Sequence, residues 1–409
     1  MQRLMKLGIY DPVYLRNFYA GRAGLETLAY DAQLRALVED RVASSDFWTR
    51  ALRRLGYETR DVISNAEPLQ RRWAKEQGLR PTAHSGFAEV TKAQVAAFRP
   101  EILLVADYLT FTPEFLRHLR EAAPSIRLIV GWCGAPYSDL SVMREWDVAL
   151  SCVPEMVTEF RAQGLNAHHV NHGFDPVVGL QLRPATDPPV PFSFIGSVIA
   201  TSGFHEERLA ILRALTRRTP LEIWSPLGAS AQKLSTKGRI GAAIDRVLPR
   251  PEKAGGMAAD GEASRLVAWA RRSGRAAAAA ALAPRSHPPL FGLDMFQGLR
   301  DSQVTLNTHI NISPRSASNM RLFEATGAGS CLLTDRKENL SDLFEEDAEV
   351  LAYGSVDEAV EKYRYLAEHP VERQAIAAAG RARTLKDHSF DRRAEVMHAI
   401  FQAELGSRA

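Results

Sequence analysis

Residues 319–335 read NMRLFEATGAGSCLLTD. A polar residue opens a short amphipathic segment carrying one Arg and one Glu, two glycines interrupt it, and an apolar run closes it. The pattern predicts a helix that starts near Ser318 or Asn319, ends at Gly327 and Gly329, and turns sharply into a buried strand over 330–334. Upstream, QVTLNTH (303–309) has the character of a strand, and INISPRSAS (310–318) is a loop rich in hydroxyl and amide side chains. Strand, loop, helix and strand in this order make one unit of a parallel α/β sheet.

The same rhythm continues on both sides. Downstream, AEVLAYG (348–354) reads as a strand and SVDEAVEKYRYLAEH (355–369) as a helix with Ser355 as cap and Glu358 three residues on, a capping box; residues 370–405 form a long helical stretch. Upstream, FSFIGS (192–197) is a strand, HEERLAILRALTRR (205–218) a helix, LEIWSP (221–226) a strand and LDMFQGLRDS (293–302) a helix. A first set of units precedes these. RLMKLGIY (3–10) and ETRDVISN (58–65) are strands, separated by one helical pattern from Ala32 to Tyr57 that Gly56 ends. Pro68 to Phe98 is helical and polar. PEILLVAD (100–107), IRLIVGWC (126–133) and DVALSC (147–152) are apolar strands, with helices TPEFLRHLREAA (112–123) and VPEMVTEFRAQG (153–164) among them. NAHHVNHG (166–173) leads out.

Between the two sets lie Pro176, Pro184, Pro188, Pro189 and Pro191, the composition of a linker. The predicted organisation is α/β: a Rossmann-like domain over 1–175, a proline-rich linker over 176–191, a second Rossmann-like domain over 192–385, and a C-terminal helix over 386–409. Two such domains facing each other enclose a cleft, the usual place for a ligand.

The bulk properties agree with this plan. The chain has 409 residues, 45% hydrophobic and 24% charged, with a net charge of +3, which suits a two-domain globular protein and excludes a general nucleic-acid binder. The positive charge is concentrated in an insertion at 225–292, which holds 11 Lys or Arg against 4 Asp or Glu. That insertion includes RVLPRPEK (246–253) and an alanine-rich helix over 262–283 that Gly274 weakens. It is either an inserted surface loop or a basic face for an acidic acceptor, a peripheral contact with an anionic membrane, or a partner. Cys133, Cys152 and Cys331 have no C-x-x-C spacing and read as small buried hydrophobes in a reducing compartment. The N-terminus has no signal-peptide design, and no run approaches the ~20 apolar residues of a membrane span, so a cytoplasmic location is expected.

The chemistry is expected at 319–324. The free N–H groups and the dipole of a first helical turn favour a phosphate. Arg321 lies in that turn, where a cation opposes the dipole unless an anion is bound, and it can add a charge-assisted contact. Glu324 follows at i+3 on the same face and can accept hydroxyls of a ribose. The alternative is an ion pair on the surface of an ordinary helix. Around this motif, His309 and Arg315 are candidates for a diphosphate or sugar, and His205 and Arg208 could add positive charge, although Arg208 reads more simply as solvated. In the first set, Trp132 and Tyr137 are candidates for stacking, Asp139 for a general base, Asp107 and Tyr108 for lesser contacts, and His172 for either a cleft residue or a hinge.

At this point NMRLFEATGAGSCLLTDRKENLSDLFEEDAEVLAYGSVDEAVEKYRYLAEHPVERQAIAAAGRAR (319–383) resembles the C-terminal domain of GT-B glycosyltransferases, and is most similar to the CgeB-like, spore-maturation-protein-like group. The resemblance extends over about 305–395 and more weakly over 100–175. It implies a metal-independent bacterial transferase of glycan biosynthesis, with no cofactor beyond a nucleotide-sugar donor, expected to be UDP-linked. The donor is held by the C-terminal domain, and the acceptor, a glycan, lipid-linked saccharide or protein, by the N-terminal one. It places Glu324 on the ribose, Asn319 and Arg321 on the donor, Gly196 and Ser197 at a phosphate-facing loop, and His172 to Asp175 before the linker. Retaining relatives carry E-x7-E, and the first of those positions is Ser316 here. A sugar-nucleotide epimerase and an inactive nucleotide-binding scaffold remain as alternatives. No D-x-D occurs, so the leaving diphosphate is expected to be stabilised by helix N-termini and Arg.

Overall fold

Among the described residues, twelve short strands, rich in Val, Ile and Leu, build two sheets. The computed structural model describes all residues except 81–86, 186, 200–202, 228–239, 241, 246–261 and 408–409, and the side chains of 262–266. The first sheet contains β1 (Arg3–Gly8), β2 (Glu58–Ile63), β3 (Ile102–Val105), β4 (Leu128–Trp132), β5 (Val148–Ser151) and β6 (Ala167–His169) in the order β2-β1-β3-β4-β5-β6. The second contains β7 (Val190–Ile195), β8 (Leu221–Trp224), β9 (Ser286–His287), β10 (Ser302–Asn307), β11 (Cys331–Asp335) and β12 (Leu351–Tyr353) in the order β12-β11-β10-β7-β8-β9. Every neighbouring pair is parallel. All four residues of β3 and of β5 are buried, as strands covered on both faces must be. In each sheet the order reverses once, between β1 and β3 and between β7 and β10, and a ligand crevice is expected outside the strand ends at such a point.

The first sheet is flanked by α1 (Pro12–Ala20), α2 (Tyr30–Glu39), α3 (Phe47–Arg54), α4 (Glu67–Glu76), α5 (Ala88–Phe98), α6 (Pro113–Ala122) and α7 (Pro154–Ala162). Thr112 caps α6 by accepting the Phe115 N–H, with Pro113 at the first helical position. The single helix expected across 32–57 is two. Residues 40–46 separate α2 from α3, and Arg41, Ala43 and Ser45 have φ of 59°, 52° and 36°. Tertiary contacts hold this break open. The Asp40 carbonyl accepts the Leu293 N–H at 2.8 Å, and Arg41 Nε donates to Gln181 at 2.8 Å. The periodic pattern runs on through residues that the second half of the chain pulls out of the helix.

The proline-rich stretch carries a short helix, α8 (Pro176–Gln181), capped by Asp175, and β7 starts within it at Val190. Around the second sheet lie α9 (Glu206–Leu215), α10 (Glu262–Ala280), α11 (Gly292–Arg300), α12 (Met320–Ala328), α13 (Leu340–Leu343), α14 (Val356–Glu368) and α15 (Pro370–Asp387). The alanine-rich helix of the insertion is present as α10, and β9 adds an edge strand that the pattern does not reveal; RVLPRPEK lies outside the described residues. Ser355 accepts the Glu358 N–H, while the Glu358 carboxylate takes the Gly354 N–H at 2.7 Å. The expected stretch 370–405 is broken at His388. The last helix, α16 (Phe390–Gly406), crosses back to the first half, where Tyr57 OH meets His398 Nδ1 at 2.8 Å and Arg127 donates to the Leu405 carbonyl. Beside it, the Phe174 N–H donates to the His388 carbonyl and the Phe390 N–H to the Phe174 carbonyl, so the two crossings of the chain run side by side. A single apolar cluster runs from Leu4, Trp48 and Leu150 through Phe174 and Phe390 to Phe323 and Leu332, joining the two halves. Among the described residues no helix is long and apolar enough to cross a membrane.

Candidate functional site at the switch point of the second sheet

The site is built from what leaves β7 and β10. These strands are neighbours where the order of the second sheet reverses. Arg208, in the first turn of α9, reaches both exits: Nη1 donates to the Ser197 carbonyl at 2.8 Å and Nη2 to the Thr308 carbonyl at 2.5 Å. The reading of Arg208 as a solvated cation is corrected here. Its side chain is buried, and burial pushes the guanidinium down to about 10 although Asp335 opposes the shift. His205, one turn earlier, is also buried; burial and then Arg208 push it down to about 4. Gly196 extends the ladder, donating to Trp224, and Ser197 is exposed at the strand end.

The loop after β10 is braced from within. Asn307 receives the Asn319 side-chain amide at 2.8 Å and donates to Thr334 at 2.9 Å. His309 stands with its side chain 1% exposed. Its Nδ1 pairs with Asp335 at 2.7 Å and its Nε2 accepts the Ser318 N–H at 3.1 Å, which fixes the tautomer. Burial alone would raise the Asp335 carboxyl, but His309 and Lys337 hold it at about 2. Both ring nitrogens of His309, expected at a diphosphate or sugar, are engaged in holding the loop. Arg315 is exposed, and the Ser316 side chain is nearly covered.

The helix α12 begins at Asn319, whose side chain makes no capping bond. It is spent on Asn307, and its Oδ1 is left buried without a partner. The first-turn N–H groups have no side-chain cap. Arg321 and Glu324 pair at 2.8 Å across one turn, with side chains only 17% and 7% exposed. This is a largely buried pair, unlike the surface pair weighed from the sequence. Burial raises the Glu324 carboxyl and Arg321 pulls it back, while Arg321 Nε has no partner. Such a pair contributes little net stability, because desolvation offsets the attraction. Gly329 ends the helix with φ 94°. Gly327 does not: it is helical, and a Cβ there would lie 2.3 Å from the Phe174 ring. The role of exit glycine expected for Gly327 is corrected to close packing.

Across the cleft stand the strand ends of the first sheet. Ile312, from the loop after β10, packs against their apolar cluster with Tyr108 and Tyr137. Most candidates here are locked in local structure. Asp139 is exposed, and hydrogen bonds from the Ser141 side chain and from the Ser141 N–H at 2.8 Å hold its carboxyl below the usual range. Asp139, expected as a general base, is thus a turn carboxylate in water with lowered basicity. Asp107 caps a turn in the same way, Tyr108 donates to the Pro136 carbonyl at 2.6 Å, and Tyr137 donates to Glu159. Trp132 packs between Trp48 and His172, with ring centroids 5.3 and 5.1 Å away. Burial and then Arg393 push His172 down to about 4, so the ring packed on Trp132 is a neutral imidazole and a weak proton acceptor. Sequence reasoning missed Glu155. From the first turn of α7 it reaches over to the second half, where its Oε1 accepts the N–H groups of Arg315 at 3.2 Å and Ser316 at 3.1 Å. The available signal was its position at the carboxyl end of a parallel strand. Among the described residues no group of three or more His, Cys, Asp or Glu is placed to hold a metal ion.

Comparison with known proteins bears on this geometry. Residues 242–399 match the family described as Glycosyl transferase-like. No curated protein matches the chain in sequence. Among solved structures, the chain is similar to Anabaena Alr3699/HepE in complex with UDP-glucose, with a TM-score of 0.54 and 10% identity over 98% of this chain and 100% of that one. It is also similar to sucrose-phosphate synthase from Thermosynechococcus elongatus (TM-score 0.50, 10% identity, 100% of both chains). A third similar structure is AviGT4, a glycosyltransferase involved in avilamycin A biosynthesis (TM-score 0.50, 13% identity, 100% of this chain and 99% of that one). The whole chain thus shares the GT-B fold of these structures, and residues 242–399 match a glycosyl transferase-like domain.

Proposed function

We propose that the chain transfers a sugar from a nucleotide-diphosphate donor, UDP-linked, to a hydroxyl of a glycan, lipid-linked saccharide or protein. The observation that carries this reading is the start of α12. A helix without a side-chain cap opens at the sheet's switch point, beside a buried Arg321–Glu324 pair and the unpartnered Asn319 Oδ1 and Arg321 Nε. An anion meets the first-turn N–H groups and Arg321 Nε, and a diol brings O–H donors for the Glu324 carboxylate and Asn319 Oδ1. The similarity to a protein solved with UDP-glucose supports the choice of donor. In this reading the second half, from 192, holds the donor through Gly196, Ser197, Asn319, Arg321 and Glu324. The first half, to 175, presents the acceptor, and His172 contributes a neutral hydrogen-bonding ring. Charge on the leaving diphosphate is met by the helix N-terminus and Arg321 without a metal ion. The finer grouping with CgeB-like proteins and a cytoplasmic, bacterial setting belong to the same proposal.

The test is incubation with UDP-glucose, UDP-galactose, UDP-N-acetylglucosamine and GDP-mannose, measuring binding by calorimetry and release of nucleoside diphosphate with acceptor extracts. Glu324→Gln is expected to weaken the best-bound sugar nucleotide about tenfold or more, since a hydrogen bond to a charged group is worth about 1.5–3 kcal/mol. Unchanged binding by this variant overturns the site assignment. Binding without release would identify a scaffold, and interconversion of the sugar without acceptor an epimerase.

A further inference from the structure

Glu155 has one oxygen occupied and one free. Its Oε1 is held by two N–H groups of the loop that leads into α12, and its Oε2 is buried with no partner. A carboxylate oxygen in that position lacks the donor it requires, and exposing the group to solvent is not an option while the loop holds it. His169, which feels the Glu155 charge, is hydrogen-bonded with Asn171. An unpartnered carboxylate oxygen therefore sits at the carboxyl edge of the first sheet, where it meets the donor loop. Acceptors of this kind reject a phosphate, which brings only more acceptor oxygens and negative charge. They suit a group that brings O–H donors.

Resting on the function proposed above, we infer that Glu155 is a specificity-determining residue for the transferred sugar. Its Oε2 accepts a hydroxyl of the sugar moiety of the donor, while Oε1 stays on the Arg315 and Ser316 N–H groups. Because the loop fixes Oε1, the carboxylate is aligned by the donor-side half although it belongs to the first half. The selection for the sugar and the joining of the two halves are then one interaction. UDP alone, lacking the sugar, leaves Oε2 unpartnered.

The experiment is calorimetry of the wild-type chain and of Glu155→Gln and Glu155→Ala with UDP and with whichever of the four sugar nucleotides above the wild type binds best. Glu155→Gln keeps an amide oxygen for the loop and loses the carboxylate. Its UDP affinity is expected to stay within about twofold, which also shows that it folds, and its affinity for the sugar nucleotide to fall about tenfold. Glu155→Ala is expected to lose at least as much. Equal losses on UDP and on the sugar nucleotide assign Glu155 a merely structural role and overturn the inference, as does an unchanged preference for the sugar nucleotide over UDP. Failure of the wild type to bind any member of the panel overturns the functional reading itself, and this inference with it.

Discussion

At Gly327 two demands meet that a local reading cannot separate. The residue stands near the end of a helix and close to a second glycine, so it resembles half of an exit. Its partner is Phe174, whose ring, 1% exposed, would lie 2.3 Å from an added Cβ. Ala in place of Gly strengthens a helix interior by about 1 kcal/mol, whereas overpacking a filled core costs about 1–3 kcal/mol. The clash wins here, because Phe174 is itself packed against Phe296 and joins the two halves. Gly327→Ala is expected to lower the thermal midpoint by several degrees, and Phe174→Leu in that background to recover part of the loss. Additive losses in the double mutant would show that the ring is not the obstacle. The same limit explains His309 and Asp139. Residue type and place at a strand end were legible, and so was the i+3 spacing of Arg321 and Glu324. What occupies each polar atom was not, since Asp335, Ser318 and Ser141 become partners only through the folded backbone.

Helices and strands were legible wherever a periodic or apolar run is confined to one unit. They were misjudged where distant parts of the chain intervene, as between α2 and α3, or where an edge strand is two residues long, as at β9. The break at His388–Ser389 belongs to the first kind. Ser389 caps α16 by accepting the Arg392 N–H, and the new direction carries Phe390, Met397 and Phe401 onto the first half. There Phe390 meets Phe47 and Trp48, with centroids 5.0 and 4.8 Å apart. Removing residues 390–409 therefore exposes apolar surface on the half that begins the chain, although the cut is at the other end. Each large side chain removed from a core costs about 3–5 kcal/mol. Limited proteolysis followed by mass spectrometry is expected to show residues 1–175 cleaved faster than 192–387 in the truncated chain. Equal protection of both regions would mean that α16 contributes little to the first half.

The joint between the halves also governs how the whole molecule responds to acid. His172 and His388 lie on the two crossing segments, and Arg393 sits between them, donating through Nε to the His172 carbonyl and through Nη2 to His388 Nδ1. His205 is at the mouth of the second sheet. Burial is the main cause that lowers all three to about 4; Arg393 adds to it at His172 and His388, where the Leu343 carbonyl opposes it, and Arg208 adds to it at His205. An unfolded histidine titrates near 6.5, so between about 6.5 and 4 the unfolded chain binds more protons than the folded one. Stability is then full above pH 6.5 and falls as the pH drops towards 4, by up to about 3 kcal/mol for each group, a large share of an ordinary protein's total. A urea midpoint measured from pH 7.5 to pH 4.5 is expected to be flat at first and then to drop steeply. His205→Gln removes a proton site whose Nδ1 has no partner, and is expected to reduce the slope by about a third while leaving the midpoint at pH 7.5 nearly unchanged. A midpoint independent of pH over this range would mean that the three rings are as free to protonate in the folded chain as in the unfolded one, and that the joint is not where acid acts.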